Sequence, residues 1–341
     1  MGINNKAKVL LLLLFYCSIM NCRSNNYASK DDYSHIFSLK SDTLYLDKEK
    51  FDLNIDDNID TACKWRDAYY LMLSGAFLSV SENLMEIHQI EPPEVEPTCF
   101  GTELFVRNDS LMISSYDEKD WIQYYNPLYN KWDVIEEKPR EPYKRIQLIR
   151  EDDTYKILFH DMGEFGGRLF FVDKQTGQEY FYRINCERVI QYQNDYYLIC
   201  LDRIFRIHDP AQNNIELILK EDEYVYDDFT SCYVSAFILS EELYFVANNQ
   251  EETYVARLNG QKLEYVFGLG QQYNFLNDYN YNLVANQFDD RVLLKFYRYE
   301  SNPSCGIMDI EGNQIRLLFF CIGKRPDNTS TSYILCVSNF M

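Results

Sequence analysis

The sequence contains few of the residues and motifs that mark common metal, cofactor and catalytic sites. Only four of its 341 residues are His, and no His-x-x-x-His or Glu-flanked His pair occurs, so a zinc site has little support. A Cys-x-x-Cys pair and a Gly-x-Ser-x-Gly elbow are also absent. Gly268-x-Gly270 lacks the third Gly and the strand-then-helix context of a dinucleotide site. The sequence therefore assigns no catalytic residue, no metal ligand and no cofactor.

Basic residues are outnumbered by acidic ones. The chain has 33 Lys and Arg against 53 Asp and Glu, which gives a formal net charge of −20. Nucleic-acid binding needs clustered Lys and Arg that displace counterions, so this charge argues against a nucleic-acid partner. It also argues against electrostatic docking on anionic lipid. The simplest role of the charge is solubility.

Sustained helical periodicity is absent after residue 30, and aromatic residues are abundant instead. The 29 Tyr and 22 Phe residues favour strands. Residues 168–184 show the pattern clearly: an apolar, aromatic strand is followed by a turn and a second aromatic strand. Asp173 and Gly177 supply the turn, because Asp bonds its own backbone and Gly accepts a positive φ. The sequence therefore predicts an all-β fold.

This strand–turn–strand pattern recurs in residues 122–137, 203–219, 253–267 and 306–320, with a weaker copy in residues 43–55. The turns lie at Asn126, Asp173, Asp209, Asn259 and Asp309, so that the spacings are 47, 36, 50 and 50 residues. A period of about 40–50 residues with several strands per unit is typical of β-propeller blades.

Five units of about four strands each cover residues 104–136, 145–184, 188–219, 234–267 and 281–320. Strands in residues 34–90 supply a sixth blade, and we expect the tail strand, residues 332–338, to pair with this N-terminal segment and close the ring. Closure removes the exposed edges that would template aggregation. The prediction is one six-bladed propeller over residues 34–341, with seven blades as the alternative if residues 34–60 and 61–95 are separate units.

Residues 1–22 form a targeting segment. Lys6 and Lys8 precede a short apolar run at residues 9–16, which is too short to span a bilayer. The run leads to Ile19-Met20-Asn21-Cys22, which resembles a bacterial lipobox, although Asn21 stands where Gly, Ala or Ser is usual. The resemblance implies lipidation of Cys22, a flexible tether at residues 23–33 and a location at the cell envelope, on the periplasmic side or the cell surface. The alternative is an ordinary signal peptide or an uncleaved anchor.

Two features of the repeat resemble known propellers. The segment YNPLYNKW, residues 125–132, resembles the hairpin of kelch repeats, and Gly166-Gly167 resembles the kelch double glycine. Each occurs once, so this resemblance covers one or two blades. With its lipobox-like start, its Tyr- and Asn-rich composition and its repeat, the whole chain is similar to the propeller-bearing lipoproteins of Bacteroidetes.

The long connections between blades are the candidate binding surface. In a propeller, the connections from the outer strand of one blade to the inner strand of the next share one face, and here they span residues 220–232, 268–280 and 321–331. Tyr faces beside Asn and Asp suit a sugar, because rings stack on C–H faces while amides and carboxylates bond to hydroxyls. The alternative is that these loops only solvate and pack the rim. The candidate ligand residues are Tyr224, Tyr226, Asp227, Asp228, Tyr273, Asn274, Asp278, Tyr279 and Arg325.

Other clusters favour structural roles. Asp227-Asp228 and Asp56-Asp57 with Asp60 offer oxygen ligands, but neither has the spacing of a calcium loop, so solvated charge is the better interpretation. His160, Asp161 and Glu164 are expected in a loop. Cys200 and Cys336 are expected to pack as small apolar residues. Four cysteines near strand ends are compatible with disulfides in an oxidising compartment: Cys186, Cys232, Cys305 and Cys321.

Two functions from different classes remain open on these observations. The leading hypothesis is a non-enzymatic, lipid-anchored binding or scaffold propeller whose ligand is a glycan or a partner protein, and whose only contact with the membrane is the lipid. The alternative is a carbohydrate-active hydrolase or lyase on the same scaffold. That enzyme needs two carboxylates about 5–10 Å apart at the channel mouth, and Asp227, Asp228 and Asp278 are the candidates. Fold alone does not decide between them.

Overall fold

The computed structural model describes residues 36–51, 53, 59–73, 76–93, 102–107, 109–116, 119–139, 146–162, 166–186, 188–200, 202–220, 231–249, 252–270, 285–288, 290–297 and 305–322. Within these ranges, 25 strands form six sheets. Helical structure in the same ranges is limited to the one-turn α1 (Lys48–Phe51) and a 3₁₀ turn (Pro210–Gln212). The all-β prediction is confirmed.

The first three sheets follow one another along the chain. Blade 1 contains β2 (Ile59–Trp65), β3 (Ala68–Leu73), β4 (Ala76–Ser81) and β5 (Ile87–Ile90). Blade 2 contains β6 (Thr102–Arg107), β7 (Ser110–Tyr116), β8 (Lys119–Asn126) and β9 (Lys131–Pro139). Blade 3 contains β10 (Ile146–Glu151), β11 (Tyr155–Asp161), β12 (Gly167–Asp173) and β13 (Glu179–Tyr182).

The remaining sheets repeat the arrangement. Blade 4 contains β14 (Arg188–Tyr192), β15 (Asp195–Ile199), β16 (Arg203–Ile207) and β17 (Glu216–Lys220). Blade 5 contains β18 (Ser231–Leu239), β19 (Glu242–Asn249), β20 (Thr253–Asn259) and β21 (Lys262–Gly268). Blade 6 contains β22 (Ala285–Phe288), β23 (Arg291–Tyr297), β24 (Cys305–Glu311) and β25 (Gln314–Ile322), and it also holds β1 (Ser38–Leu46).

Each blade is an antiparallel meander of four strands, here called A to D from the first to the last, and the six blades form a β-propeller. The six-blade prediction is confirmed, and the seven-blade alternative is wrong because residues 59–90 form a single four-stranded sheet while β1 joins blade 6. The five units predicted from the repeat coincide with blades 2 to 6. The predicted hairpins join strands C and D, as expected, but Asp309 itself lies within β24, and the last turn follows Glu311.

The hairpin of blade 3 shows why these segments turn where they do. Asp173 ends β12, and its Oδ1 accepts hydrogen bonds from the backbone N–H groups of Gln175 at 2.9 Å and Thr176 at 2.7 Å. Gly177 then adopts φ 73°, which brings the chain back into β13. The aromatic residues of the pair alternate, so that Phe171 is fully buried while Phe181 is 61% exposed.

The ring closes through the N-terminal strand. β1 runs parallel to β25 as a fifth, outermost strand of blade 6, in a register that begins at Ser38 opposite Gln314. Phe37, just before β1, is 4% exposed and packs edge-on against Phe237 and Tyr244 of blade 5. The N-terminal strand thus pairs with the last strand of blade 6, whereas the tail strand expected to make this pairing, residues 332–338, lies outside the described residues.

Two expectations for the N-terminal segment are wrong. Residues 43–55 are not a weaker strand–turn–strand copy, because β1 ends at Leu46 and α1 follows it. Asp47 starts this helical turn, since its Oδ1 accepts from the backbone N–H groups of Glu49 and Lys50. The blade expected from residues 34–90 begins later than predicted, since β1 joins blade 6 and blade 1 begins with β2 at Ile59.

The core consists of seams between neighbouring blades. Five clusters of buried apolar side chains join blades 1 and 2, 3 and 4, 4 and 5, 5 and 6, and 6 and 1. Large side chains in them, such as Phe77, Phe171 and Phe245, are completely buried, and each such burial contributes about 1.5–3 kcal/mol. Because strands alternate, blades 4, 5, 6 and 1 each pack one face on the preceding blade and the other face on the following blade.

The two faces of the ring differ in how their strands are connected. The A–B and C–D turns share one face, here called the turn face, and the B–C turns and blade-to-blade connections share the other, here called the loop face. Most residues with positive φ lie in tight turns on the turn face, for example Asn194, Glu241 and Gly312. The long connections predicted to bind a ligand leave from the loop face.

Candidate functional site

The predicted ligand residues lie outside the described residues. This applies to Tyr224, Tyr226, Asp227, Asp228, Tyr273, Asn274, Asp278, Tyr279 and Arg325. The strand ends that carry their loops are described: β17 ends at Lys220, β21 at Gly268 and β25 at Ile322. All three are D strands of successive blades, so the three connections start on the same face and on the same side of the ring. Cys22, the predicted site of lipidation, also lies outside the described residues.

A buried carboxylate secures the start of the second of these loops. Glu252 follows the B–C turn of blade 5 and is 6% exposed. Its Oε1 accepts from the hydroxyl of Tyr265 at 2.9 Å, and its Oε2 accepts from the backbone N–H of Gly270 at 3.2 Å. Burial, together with the hydrogen bond to Glu252, raises the pKa of Tyr265. Glu252 therefore holds the backbone of the connection as far as Gly270, where its described part ends. This role of the carboxylate was not predicted from the sequence.

The structure explains why glycine occupies both positions of Gly268-x-Gly270. A Cβ at Gly268 would lie 1.8 Å from the Tyr265 hydroxyl oxygen and 2.2 Å from Glu252 Oε2, so only a residue without a side chain fits. Gly270 has φ 93°, which favours glycine. Gly268-x-Gly270, which does not fit a dinucleotide site, thus begins the connection after β21 and packs against the buried Glu252 carboxylate.

A charged cluster lies in the seam between blades 6 and 1, toward the turn face. Lys64 on β2 has a side chain that is 4% exposed, and its Nζ contacts three carboxylates: Glu82 at 2.5 Å, Glu311 at 2.9 Å and Asp309 at 3.6 Å. Burial by itself lowers the pKa of Lys64, but the carboxylates outweigh burial, so its pKa is raised. Lys64 is therefore a charged ammonium that links the first blade to the last.

Asp309, on β24, is the acidic centre of this cluster, and it is 5% exposed. The guanidinium of Arg291 binds both of its oxygens at 2.8–2.9 Å. The hydroxyl of Tyr69, on β3 of blade 1, donates to Asp309 Oδ2 at 2.7 Å. Burial and the neighbouring Asp309 raise the pKa of Tyr69, so this phenol stays protonated and continues to donate. The buried Asp309 carboxylate thus receives hydrogen bonds from both blade 1 and blade 6.

A cleft of about 540 Å³ opens beside the cluster and is lined by Lys40, Asp42, Asp67, Ser81, Glu82, Asn83, Leu84 and Arg316. Arg316 contacts Asp42 Oδ2 at 3.0 Å and donates to the backbone oxygen of Glu82 at 2.6 Å. Lys40 Nζ lies 3.1 Å from the same Asp42 oxygen. Lys40 and Arg316 thus share Asp42 across β1 and β25, and Arg316 also holds the backbone of the C–D turn of blade 1. We interpret the cleft as part of the closure of the ring.

Little in the sequence indicates this cluster. Lys64 lies in β2 among buried neighbours such as Cys63 and Trp65, and Asp309 lies between the buried Met308 and Ile310. A charged residue inside an apolar strand is the only signal available, because the partners are 18 to 247 residues away in sequence. Only the closed ring brings them together.

The other residues considered from the sequence occupy separate places. His160 and Asp161 end β11 rather than standing in a loop as expected, and Glu164 lies outside the described residues. His208 Nδ1 lies 2.6 Å from Asp195 Oδ1 on the turn face of blade 4, but its ring is 79% exposed. The Asp56-Asp57 and Asp227-Asp228 pairs fall outside the described residues.

Among the residues that the structure describes, no group of three or more His, Cys, Asp or Glu side chains is placed to hold a metal ion. In the same ranges, no helix has the length and apolar character needed to cross a membrane.

Comparison with known proteins gives structural likeness only. No family model matches the sequence, and no curated protein matches it. Among solved structures, the chain is similar to one from a structural and mechanistic analysis of two prolyl endopeptidases, with 11% identity, a TM-score of 0.41 and coverage of 77% of this chain and 42% of that chain. The chain therefore spans about two fifths of the length of that protein.

Two further solved structures are similar over most of their length. A protein from Lactobacillus plantarum has 13% identity and a TM-score of 0.42, with coverage of 76% of this chain and 88% of that chain. A protein of unknown function from Bacteroides thetaiotaomicron has 10% identity and a TM-score of 0.42, with coverage of 71% and 69%.

Proposed function

We propose that the chain is a non-enzymatic binding propeller, held at the cell envelope by a lipid on Cys22, that takes a glycan on its loop face. The observation that carries this proposal is the origin of the three connections after β17, β21 and β25. The described strands β17, β21 and β25 end on one face of blades 4, 5 and 6, which supports a shared binding surface for the Tyr, Asn and Asp residues that follow them. Aromatic faces beside amides and carboxylates are the chemistry that binds sugars.

The entry point of the N-terminal segment supports this arrangement. The backbone N–H of Ser38 bonds to the carbonyl of Asn313 at 2.9 Å, so the chain enters beside the C–D turn of blade 6, on the turn face. A tether from Cys22 therefore reaches the propeller from the face opposite to the loops. A propeller anchored in this way presents its loop face away from the membrane.

Binding is tested with the purified mature chain on an array of envelope and host polysaccharides. We expect retention of a subset of glycans and at least tenfold weaker binding after Tyr226→Ala combined with Tyr273→Ala. Tyr129→Ala is the matched control, because Tyr129 is 71% exposed in the C–D turn of blade 2, on the turn face. Equal loss in the control variant, or capture of a partner protein with no glycan retained, would overturn the glycan assignment.

The same incubation separates binding from catalysis. Each retained glycan is assayed afterwards for new reducing ends and for unsaturated products, which report a hydrolase and a lyase respectively. We expect the glycan to be recovered intact. Turnover that is lost with Asp227→Asn or Asp278→Asn would establish the enzyme instead.

Anchoring is tested by metabolic labelling with a palmitate analogue. We expect wild-type chain to carry label and to fractionate with membranes, and Cys22→Ala to lose both. Membrane association without label would contradict the lipid anchor and would assign anchoring to the apolar run at residues 9–20.

A further inference from the structure

Two cysteines lie against each other in the seam between blades 3 and 4. Cys186 belongs to the connection between β13 and β14, and Cys200 directly follows β15. Cys186 is 1% exposed and Cys200 is 5% exposed, and both belong to the cluster of buried side chains that joins these blades. Neither residue is bonded to another cysteine.

Contacts with the backbone hold both cysteines at the end of the β14–β15 ladder. Arg188 and Ile199 face each other in this ladder, and Cys186 Sγ lies 3.0 Å from the carbonyl oxygen of the first and 3.5 Å from that of the second. The backbone N–H of Cys200 bonds to the carbonyl of Arg203 at 2.9 Å, which fixes the cysteine at the start of the B–C turn. Cys186 Sγ thus lies against Ile199, the residue that directly precedes Cys200, and both cysteines are buried in the same cluster. The neighbouring Cys186 thiol, together with burial, raises the pKa of Cys200.

We propose that Cys186 and Cys200 form a disulfide when the chain folds in an oxidising compartment. The bond ties the connection between blades 3 and 4 to the second strand of blade 4. Disulfides persist in the bacterial envelope, so the occurrence of this bond in cells rests on the envelope location proposed above. The pairing also assigns Cys200 a partner, in place of the purely apolar role expected from the sequence.

The reaction is a thiol–disulfide exchange. One cysteine loses its proton and attacks a sulfur of an external disulfide, such as oxidised glutathione or a dithiol oxidase, which releases one thiol. The second cysteine thiolate then attacks the mixed disulfide, the new S–S bond forms, and the second external thiol leaves. Two electrons and two protons pass to the external disulfide, which becomes two thiols.

Burial determines when this exchange occurs. Because both sulfurs are shielded in the closed seam, an oxidant reaches them only before blades 3 and 4 pack together or after they open. We therefore expect the bond to form readily during refolding and slowly when an oxidant is added to the reduced native chain.

The test maps the bond directly in the full chain. The chain is refolded with a mixture of oxidised and reduced glutathione, remaining thiols are alkylated, and the product is digested with trypsin. Cleavage after Arg183, Arg188 and Arg203 places the two cysteines in different peptides, residues 184–188 and 189–203. We expect these peptides to be recovered as one linked species that reduction separates. Alkylated Cys186 or Cys200, or either residue linked elsewhere, would overturn the proposal.

Variants add a stability readout. Addition of a reductant should lower the thermal midpoint of the oxidised wild type by about 5 °C, because the cross-link constrains the unfolded chain. Cys186→Ser combined with Cys200→Ser should show no response, whereas Cys63→Ser, which removes another buried thiol, should keep it. An equal response in the double variant would count against the pairing. If the double variant does not fold, the peptide map of the wild type still decides.

The refolding result does not depend on where the chain is located. Trapping of thiols in intact cells is therefore performed separately. Linked peptides after refolding, with free thiols at both positions in cells, would support the pairing and contradict the envelope location. Linked peptides in both experiments support both proposals.

Discussion

The Nζ atom of Lys64 on β2 lies 3.6 Å from Oδ2 of Asp309 on β24, and this ion pair joins the first blade of the ring to the last. Both side chains are almost completely buried, with 4% and 6% exposure. A buried ion pair is favourable only when further hydrogen bonds satisfy both groups, and here Glu82, Glu311, Arg291 and Tyr69 supply them. The closure of the propeller thus combines strand pairing, apolar packing and a satisfied polar cluster.

Removal of the buried ammonium should destabilise the ring. Lys64→Met leaves three carboxylates without their shared cation, although Asp309 keeps Arg291, so we expect a loss of about 2–4 kcal/mol in the free energy of unfolding. Lys40→Met is the control: its ammonium also pairs with a carboxylate but is 70% exposed, and we expect a change of about 0–1 kcal/mol. Urea unfolding measures both, and equal losses would contradict a special role for the buried cation.

The Tyr69 hydroxyl is expected to matter more than its size suggests. Tyr69→Phe keeps the ring in its pocket and removes only the 2.7 Å hydrogen bond to buried Asp309. A hydrogen bond to a charged group contributes about 1.5–3 kcal/mol, and urea unfolding should show a loss in this range. Tyr129→Phe, at an exposed position, should change stability by less than about 0.5 kcal/mol. A neutral result for Tyr69→Phe would mean that water replaces the hydroxyl.

Phe37 should act as the anchor of the closing strand. Phe37→Ala removes a ring that packs edge-on against Phe237 and Tyr244, and a cavity of this kind costs about 3–5 kcal/mol. Phe181→Ala, on an exposed side chain, should cost about 1 kcal/mol or less. Thermal unfolding compares the two, and a small effect for Phe37→Ala would show that pairing of β1 with β25 suffices for closure.

Gly268 should be required because no room exists for a side chain, rather than because of its backbone φ. Gly268→Ala forces the new methyl group against Tyr265 and Glu252, and we expect a loss of about 1–3 kcal/mol together with weaker glycan binding. Gly260→Ala meets no atom within 4 Å but requires φ 62°, so it should cost about 1 kcal/mol and leave binding unchanged. Array binding and urea unfolding of the two variants separate these effects.

Stability should fall at alkaline pH. Burial raises the pKa of Tyr70 and of Tyr182 to about 12, whereas an unfolded tyrosine titrates near 10. A raised pKa in the folded state gives stability that is fully present below pH 10 and is lost as the pH rises toward 12. The urea midpoint should therefore be constant from pH 7 to 9 and then decline, with absorbance at 295 nm following ionisation. A midpoint that stays constant up to pH 12 would contradict this assignment.

Local patterns were sufficient to predict the blades. Asp173 and Gly177 bond and bend within a few residues of themselves, and the alternation of side chains such as Phe171 and Phe181 follows from the strand alone. The spacing of the turns therefore predicted the fold class and five of the six blades. The N-terminal segment was harder, because β1 is specified by its partner β25, which lies about 275 residues further along the chain.

The polar seam and the cysteine pair required the tertiary structure. Lys64 and Glu311, or Cys186 and Cys200, are not marked as partners by any local pattern, since these contacts form only when strands and blades pack. The role of Glu252 likewise depends on its hydrogen bonds with Tyr265 and Gly270, which lie 13 and 18 residues further along the chain. The sequence by itself determined the repeat, the turns and the apolar alternation, because their causes are local; the closed ring decided the seams and buried charges, because their partners are distant.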